Sequence, residues 1–205
     1  MDLSNAAGHR PLPARRLRAG VASARLPAMT DRLLQVIREK GLLRGEFKLA
    51  SGGTSSHYFD LKRVTLDPEG AALVAEKVLE RCEALGGIAG VGGPPIGAHP
   101  MAGAAAAVSH LRGRPVRAFL VRREVKDHGT RSRIENAPPK GSRVVVVEDV
   151  VTTGRSTLEA VRILEEEGLV VAGIVCIVDR LQGGAEALRD YDFRPLYTSA
   201  EVLAG

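Results

Sequence analysis

Hydrophobic residues occur in two alternating patterns along most of this chain. Nearly continuous apolar runs rich in valine and isoleucine lie at residues 87–91, 116–121, 143–148 and 170–179. Helical stretches lie between and after them, at residues 97–111, 156–167 and 185–191. Strands of this kind are typical of a parallel sheet, because the crossover helices bury both of its faces. The pattern predicts an α/β fold with a doubly wound, mostly parallel sheet.

A smaller group of elements precedes this alternation. The stretch "TDRLLQVIREKG" has apolar residues on one face and predicts an amphipathic helix. Residues 47–65, "FKLASGGTSSHYFDLKRVT", predict two short strands joined by a Gly/Ser/Thr turn. Asp67 and a proline then open a second helix. We therefore expect a small N-terminal hood over residues 29–66 and the α/β core over residues 67–205.

The first 28 residues differ from the rest of the chain in charge. They hold five arginines and a single acid, Asp2, which leaves 24 basic and 23 acidic residues for a nearly neutral body. The tail is rich in Arg, Ala and Pro and lacks aromatic residues, so we expect it to be disordered. Its composition resembles a transit peptide, and the alternatives are translation from Met29 or an idle extension. Because nucleic-acid binding needs a basic face, the neutral body argues against such a partner.

Size, hydropathy and cysteine use indicate the class of protein. A chain of 205 residues with 44% apolar and 26% charged residues predicts one main globular domain. The longest apolar stretches are well short of the ~20 residues that span a bilayer, so no membrane partner is expected. The two cysteines, Cys82 and Cys176, have neither metal-ligand spacing nor the density of a disulfide scaffold. We expect reduced thiols in a cytoplasmic protein.

Residues 122–140, "RREVKDHGTRSRIENAPPK", interrupt the alternation of strands and helices. The stretch is long and strongly charged, and it lacks a continuous apolar face. These properties predict a mobile loop, and lids over functional sites are common among such loops.

Two carboxylates and a turn rich in hydroxyls follow one apolar run, in "VVVVEDVVTTGRST". Ligands of open parallel sheets bind beyond the carboxyl ends of the strands, where Glu148 and Asp149 are predicted to lie. Adjacent carboxylates there can accept hydrogen bonds from a sugar diol or lie near a divalent cation, although a single acid would be read as an N-cap or a solvated side chain. The "TTGRS" turn places backbone N–H groups before a helix, which suits phosphate. Together they predict a ribose 5-phosphate site.

This segment resembles the phosphoribosyl pyrophosphate (PRPP) signature of the type I phosphoribosyltransferases, and it is neither a Walker A loop nor a GxGxxG motif. The resemblance implies that the two acids bind the ribose and that the loop after them binds the 5-phosphate. The residues that it assigns to PRPP in this segment are Glu148, Asp149, Val150, Val151, Thr152, Thr153, Gly154, Arg155, Ser156 and Thr157.

The charged stretch "VRREVKDHG" resembles the catalytic loop of the orotate phosphoribosyltransferases within that family. The match implies that Arg122, Lys126 and His128 contact the pyrophosphate bound by a neighbouring subunit, and Arg123 stands where the family often has lysine. Cations that a loop brings to the leaving pyrophosphate would stabilise its developing charge. A solvated charge run is the alternative. The resemblance implies a homodimer with shared active sites, in which Lys126, His128 and Asp149 are catalytic.

Two further segments extend the resemblance. "FKLASGGTSSHYFDL" is similar to the N-terminal segment of these enzymes, where Ser51 and Gly52 match a turn that helps to close the base pocket and Ala50 replaces a common lysine. "VGGPPIGAHP" resembles their pyrophosphate loop, whose glycines let the backbone approach an anion, and Ile96 stands where other members carry lysine. Both replacements remove a cation. The resemblance therefore implies neutralisation of pyrophosphate by Mg²⁺, bound mainly through PRPP, and by the 122–128 loop.

The segment "IVDR" ends at Arg180. In the orotate enzymes the arginine after this strand helps to hold the carboxylate of the base, and Thr152 contacts the same base; guanidinium and carboxylate make a strong bidentate pair. A structural salt bridge is the alternative for Arg180. The resemblance covers residues 30–205 and implies transfer of a phosphoribosyl group from PRPP to orotate in pyrimidine biosynthesis. A phosphoribosyltransferase for another base, or a non-catalytic PRPP-sensing regulator, remains an alternative.

Overall fold

The computed structural model describes residues 29–48, 53–122 and 132–204. Its helices are α1 (Met29–Val36), followed by a π-helical turn (Ile37–Gly41), α2 (Lys62–Thr65), α3 (Pro68–Leu85), α4 (Ala98–Leu111), α5 (Arg155–Glu166), α6 (Gly184–Ala187) and α7 (Ser199–Leu203). Its strands are β1 (Leu42–Lys48), β2 (Thr54–Phe59), β3 (Ile88–Gly93), β4 (Arg117–Val121), β5 (Ile134–Glu135), β6 (Arg143–Val151), β7 (Val170–Asp179) and β8 (Phe193–Thr198). The predicted basic tail, residues 1–28, lies outside the described residues.

The central sheet of the described chain has six strands in the order β5-β4-β3-β6-β7-β8. Strand β3 pairs in parallel with β4 on one side and with β6 on the other, and β7 and β8 continue in parallel from β6. Strand β5 is antiparallel to β4. The direction of winding thus reverses between β3 and β6. The prediction of a doubly wound, mostly parallel sheet is confirmed.

The valine run of β6 explains how the two layers of helices are held. Val145 and Val147 belong to the apolar cluster that contains residues of α1, α3 and α4. Val144 and Val146 belong to the cluster that contains residues of α5. All four side chains are fully buried. Because successive residues of a strand point to opposite faces, a strand covered on both faces reads as a continuous apolar run.

The hood differs from its prediction at both ends. Strand β1 begins at Leu42, earlier than predicted, and pairs antiparallel with β2, where Leu42 lies opposite Phe59. The segment "LKRVT", predicted as part of a strand, instead forms the helical turn α2. Leu61 and Val64, three residues apart, are both buried against the core, a spacing that puts them on one helical face.

Further differences lie in the second half of the chain. Strand β8 and helix α7 were not predicted, because β8 is a partly buried edge strand that contains Pro195, and proline is tolerated mainly at sheet edges. The helix predicted over residues 185–191 is only the short α6. The predicted loop over residues 122–140 contains strand β5. Residues 123–131 of this loop lie outside the described residues. Within the described ranges, no helix has the length and apolar content to cross a bilayer.

Candidate active site

The candidate site lies where the winding reverses, beyond the carboxyl ends of β3 and β6. Open α/β sheets bind their ligands in the crevice at this point. The backbone approaches closely there: a Cβ on Gly97, just before α4, would lie 2.2 Å from Oδ1 of Asp149. Any side chain at Gly97 would therefore displace the carboxylate. Glycine at this position allows α4 to begin directly against the acid.

Glu148 is a buried carboxyl group in β6, with 6% of its surface exposed. Its Oε2 accepts a hydrogen bond from Ser156 Oγ at 3.3 Å, and its Oε1 accepts one from the Asp149 N–H at 3.2 Å. Burial, reinforced by the negative charge of Asp149, raises the pKa of Glu148 to about 8. At neutral pH the group is therefore mostly protonated and can donate a hydrogen bond as well as accept one.

Asp149 is half-buried and lies on the α4 side of the sheet. Its Oδ1 accepts a hydrogen bond from the N–H of Val150 at 2.8 Å. A cation that the sequence analysis missed, Lys62 at the start of α2, lies within its electrostatic reach. The Nζ of Lys62 is 3.2 Å from Oδ1 of Asp60. The hydrogen bond to Asp60, with a smaller contribution from the charge of Asp149, raises the pKa of Lys62.

The turn between β6 and α5 leaves the start of the helix open. Gly154 has φ of 75°, a left-handed conformation that suits glycine, and no side chain caps the N-terminus of α5. By contrast, Asp67 caps α3 and Thr198 caps α7. Thr157, in the first turn of α5, is buried, and its Oγ1 has no hydrogen-bond partner among the described residues. The turn therefore offers unsatisfied N–H and hydroxyl donors to an anion.

The positions of the other signature residues are set by where β6 ends. The strand continues through Val150 and Val151, so the two acids precede its end instead of marking it. Val151 is buried, and its carbonyl oxygen accepts a hydrogen bond from the Arg180 N–H at 2.9 Å. In the loop, Thr153 and Arg155 are exposed, whereas Thr152 is half-buried.

Arg180 follows β7, the strand next to β6, and is half-buried. Its backbone bond to Val151 places it beside the end of the strand that leads to Thr152. Its guanidinium makes no ion pair or side-chain hydrogen bond within the described part of the chain. The salt bridge considered as an alternative is thus not formed with any described residue.

Arg122, directly after β4, is the described residue of the predicted catalytic loop. Its guanidinium forms an ion pair with Glu135 of β5. It lines a narrow crevice together with Pro94, Pro95 and Ser156. Three other residues predicted for this loop, Arg123, Lys126 and His128, lie outside the described residues, as do Ala50, Ser51 and Gly52 of the hood turn.

A separate cavity of about 360 Å³ lies near the amino ends of β3 and β4, away from the signature residues. It is lined in part by Cys82, Arg112 and Arg114. The two arginines form ion pairs with Glu76 and Glu83, and burial raises the pKa of the Cys82 thiol to about 12. A thiol with so high a pKa is a poor nucleophile. The cavity therefore does not compete with the switch point as a catalytic site.

Comparisons with known proteins identify the family of this chain. The family model described as a phosphoribosyl transferase domain matches residues 75–195. Orotate phosphoribosyltransferases of Bradyrhizobium sp. (strain ORS 278) and Rhodopseudomonas palustris (strain BisB18) are 45% and 43% identical to this chain over 182 residues. Each alignment covers 86% of this chain, and the alignments cover 98% and 97% of the two relatives.

Solved structures have the same fold. The orotate phosphoribosyltransferase of Mycobacterium tuberculosis in complex with PRPP is 34% identical with a TM-score of 0.70, over 85% of this chain and 98% of that chain. The orotate phosphoribosyltransferase of Aeropyrum pernix is 30% identical with a TM-score of 0.68, over 84% and 97% of the two chains. In its sequence and in its fold, this chain belongs to the phosphoribosyltransferase family.

Proposed function

We propose that this protein is an orotate phosphoribosyltransferase, which converts orotate and PRPP to orotidine 5′-phosphate and pyrophosphate in de novo pyrimidine biosynthesis. One observation carries the proposal: Glu148, Asp149 and the uncapped start of α5 meet at the switch point, where the backbone of Arg180 bonds to the end of β6. The guanidinium of Arg180 has no partner among the described residues. The names of the relatives support the same activity.

The described site suits the ribose 5-phosphate part of PRPP. Glu148 and Asp149 would bind the ribose hydroxyls, because one carboxyl is protonated and the other can accept hydrogen bonds. Residues 152–157 would bind the 5-phosphate through backbone N–H groups and hydroxyls, including the unpartnered Oγ1 of Thr157. A buried hydroxyl without a hydrogen-bond partner lowers the stability of the folded protein. A phosphate oxygen at this position would supply the missing hydrogen bond.

The chemistry needs no covalent nucleophile from the protein. Ring nitrogen N1 of orotate attacks C1′ of the ribose while the bond to pyrophosphate breaks, through a transition state with oxocarbenium character, and the N1 proton is released to solvent. Arg122, Arg123, Lys126 and His128 would bind the departing pyrophosphate, and His128 would give it a proton. Catalysis then comes from positioning the reactants and from stabilising the charge that moves to the leaving group.

Mg²⁺ would be held mainly by the phosphate oxygens of PRPP, where it supplies positive charge to the leaving group. The residues at the site fit such an ion, because Mg²⁺ commonly binds one or two carboxylates together with substrate phosphates. Glu148 and Asp149 are the carboxyl groups at the switch point. Asp149 would offer carboxylate oxygens to this hard cation, and Glu148 would do so only after losing its proton.

We propose a homodimer, and α4 offers a surface for it. The helix contains no Asp, Glu, Lys or Arg, yet Gly103, Ala107 and Leu111 are exposed on one face, Leu111 to 84%. An uncharged exposed face of this kind favours contact with another protein. Because α4 also packs on β4, from which Arg122 leads into the catalytic segment, a second copy on α4 would lie near that segment.

We place the reaction in the cytoplasm. Cys82 and Cys176 are both free and buried, and they belong to separate core clusters. Free thiols are typical of reducing compartments, which supports this location.

Arg180 also favours orotate over the alternatives. A neutral base needs no cation, whereas the carboxylate of orotate would give a partner to a guanidinium that pairs with none of the described residues. The regulator alternative requires a basic face for nucleic acid, and the nearly neutral body argues against it. Salt-sensitive binding of DNA or RNA by the protein without residues 1–28 would support the regulator instead.

The direct test is the loss of orotate absorbance in the presence of the purified protein. We expect the absorbance to fall only when PRPP and Mg²⁺ are both present, because the reaction consumes orotate at the expense of the C1′–pyrophosphate bond. Uracil and adenine serve as control bases. Release of pyrophosphate with a control base but not with orotate would identify a different phosphoribosyltransferase.

Replacement of Arg180 with alanine should weaken orotate binding selectively. Loss of a charge-assisted hydrogen bond costs about 1.5–3 kcal/mol, so Arg180→Ala should raise the KM for orotate on the order of 10- to 100-fold and change the KM for PRPP little. Arg189→Ala, which removes an exposed arginine paired with Glu186, is the control. An equal rise in the KM values for orotate and for PRPP would indicate that Arg180 has a structural role.

The buried carboxyl of Glu148 should make stability depend on pH. Its pKa is raised to about 8 in the folded protein from a usual 4.5, so the folded state retains a proton that the unfolded state loses. The free energy of unfolding should therefore decrease as pH rises from about 4.5 to 8, by at most about 1.4 kcal/mol per pH unit. Glu148→Gln should remove this dependence. Urea unfolding between pH 5 and 9 tests it, and parallel curves for the two proteins would contradict it.

Mixed dimers test whether the active sites are shared. If the segment with Lys126 serves the neighbouring subunit, Lys126→Ala and Asp149→Asn should each nearly abolish activity, yet a mixed dimer should regain one intact site of two. Random mixing makes about half of the dimers mixed, which gives roughly a quarter of wild-type activity. Verified mixed dimers that stay as inactive as either parent would mean that the segment acts within its own chain or that Lys126 is not catalytic.

A further inference from the structure

The chain returns from the catalytic segment through a short, well-anchored strand. Strand β5 pairs antiparallel with the end of β4, so that Leu120 lies opposite Glu135 and Val121 opposite Ile134. The Arg122 N–H also donates to the Arg133 carbonyl oxygen at 2.8 Å. This backbone pairing sets the place of Glu135 relative to the end of β4 before any ligand binds.

Ser132 and Asn136 hold β5 on either side. The hydroxyl of Ser132 bonds to both the N–H and the carbonyl oxygen of Ile134, each at 3.1 Å. The side-chain amide of Asn136 donates to the Ala118 carbonyl oxygen of β4 at 2.7 Å. Two residues would be a weak strand by themselves, and these side-chain bonds explain why it pairs at this position.

The side chain of Glu135 forms an ion pair with Nη2 of Arg122. The two side chains are 43% and 33% exposed, so water screens the pair in part. Arg122 also lines the crevice with Pro94, Pro95 and Ser156. The carboxylate therefore determines where the guanidinium rests at the edge of the candidate site.

The contact leaves donors available on Arg122. A guanidinium carries five N–H groups in a planar fork, and the ion pair with Glu135 is made through Nη2. No other partner of this side chain occurs among the described residues. A second anion in the crevice could therefore be bound while Glu135 stays in place.

We propose that Glu135 is a positioning residue, which orients the guanidinium of Arg122 so that its remaining donors bind the pyrophosphate of PRPP. The inference rests on the proposed use of PRPP but not on the identity of the base. Glu135 itself touches no substrate and acts through Arg122. The carboxylate of Glu135 has the same sign of charge as pyrophosphate and by itself would repel it. Orientation of Arg122 explains why such a group lies at the edge of a pyrophosphate site.

The test uses Glu135→Gln, which removes the charge and keeps the size of the side chain. We expect the affinity for PRPP, measured by calorimetry, to fall about five- to tenfold and the KM for PRPP to rise by a similar factor. The KM for orotate should stay within about twofold. A gain in PRPP affinity would show that Glu135 competes with pyrophosphate for the arginine, and it would overturn the proposal.

A double-mutant cycle separates positioning from a general effect of charge. In a protein that already carries Arg122→Ala, Glu135→Gln should have no further adverse effect on PRPP affinity, because the guanidinium that Glu135 orients in this proposal is absent. Additive losses in the double variant would overturn the proposal. Calorimetry with PRPP alone does not depend on the base, so failure of the orotate assay and failure of this inference are distinguishable.

Glu76→Gln is the matched control for stability. Glu76 of α3 also makes an ion pair with an arginine, Arg112, with side-chain exposures of 25% and 33%, near the cavity at the opposite end of β3. It should lower the midpoint of thermal unfolding about as much as Glu135→Gln does and leave PRPP affinity unchanged. An equal loss of PRPP affinity in both variants would show that the effect follows stability, and it would overturn the proposal.

Discussion

Burial of β6 on both faces is the constraint from which the rest of the site follows. Its four consecutive valines, residues 144–147, fill two separate apolar clusters, so helices must cover the strand from both sides. Since β3 is its neighbour and the winding reverses between them, α4 and α5 begin on opposite faces at the same edge. The carboxyl groups that continue the strand are then enclosed between two helix starts. This enclosure removes the carboxyl group of Glu148 from water and so raises its pKa.

The sequence predicted those parts of the fold in which local pattern and tertiary position agree. The apolar runs became β3, β4, β6 and β7 because buried parallel strands need no polar face. The edge strand β8 could not be recognised, since its residues are only partly buried and Pro195 interrupts the pattern. Strand β5 could not be recognised either. Two residues carry no periodicity, and the bond of Asn136 to Ala118 that anchors them joins positions 18 residues apart.

The candidate site shows the same division. Residue types in "EDVVTTGRST" predicted a ribose 5-phosphate site because the carboxylates and the helix start are adjacent in sequence. The raised pKa of Glu148 was not predictable, because it comes mainly from burial of the side chain in the folded protein. Lys62 was missed for a related reason. It lies 87 positions before Asp149 in the sequence. The two charges interact only because the hood packs on the core.

At the switch point the acidic side chains lie nearer to the core than the basic side chains do. The carboxyl groups of Glu148 and Asp149 lie inward on β6, whereas Lys62, Arg122 and Arg180 come from three other segments at its edge. A carboxyl group can be buried because protonation relieves its desolvation, but an arginine cannot lose its charge and must keep contact with water or an anion. Arginines therefore suit the edge, where an anionic substrate can complete their pairing. Arg122 already has Glu135, and this explains why it can remain half-buried before a substrate arrives.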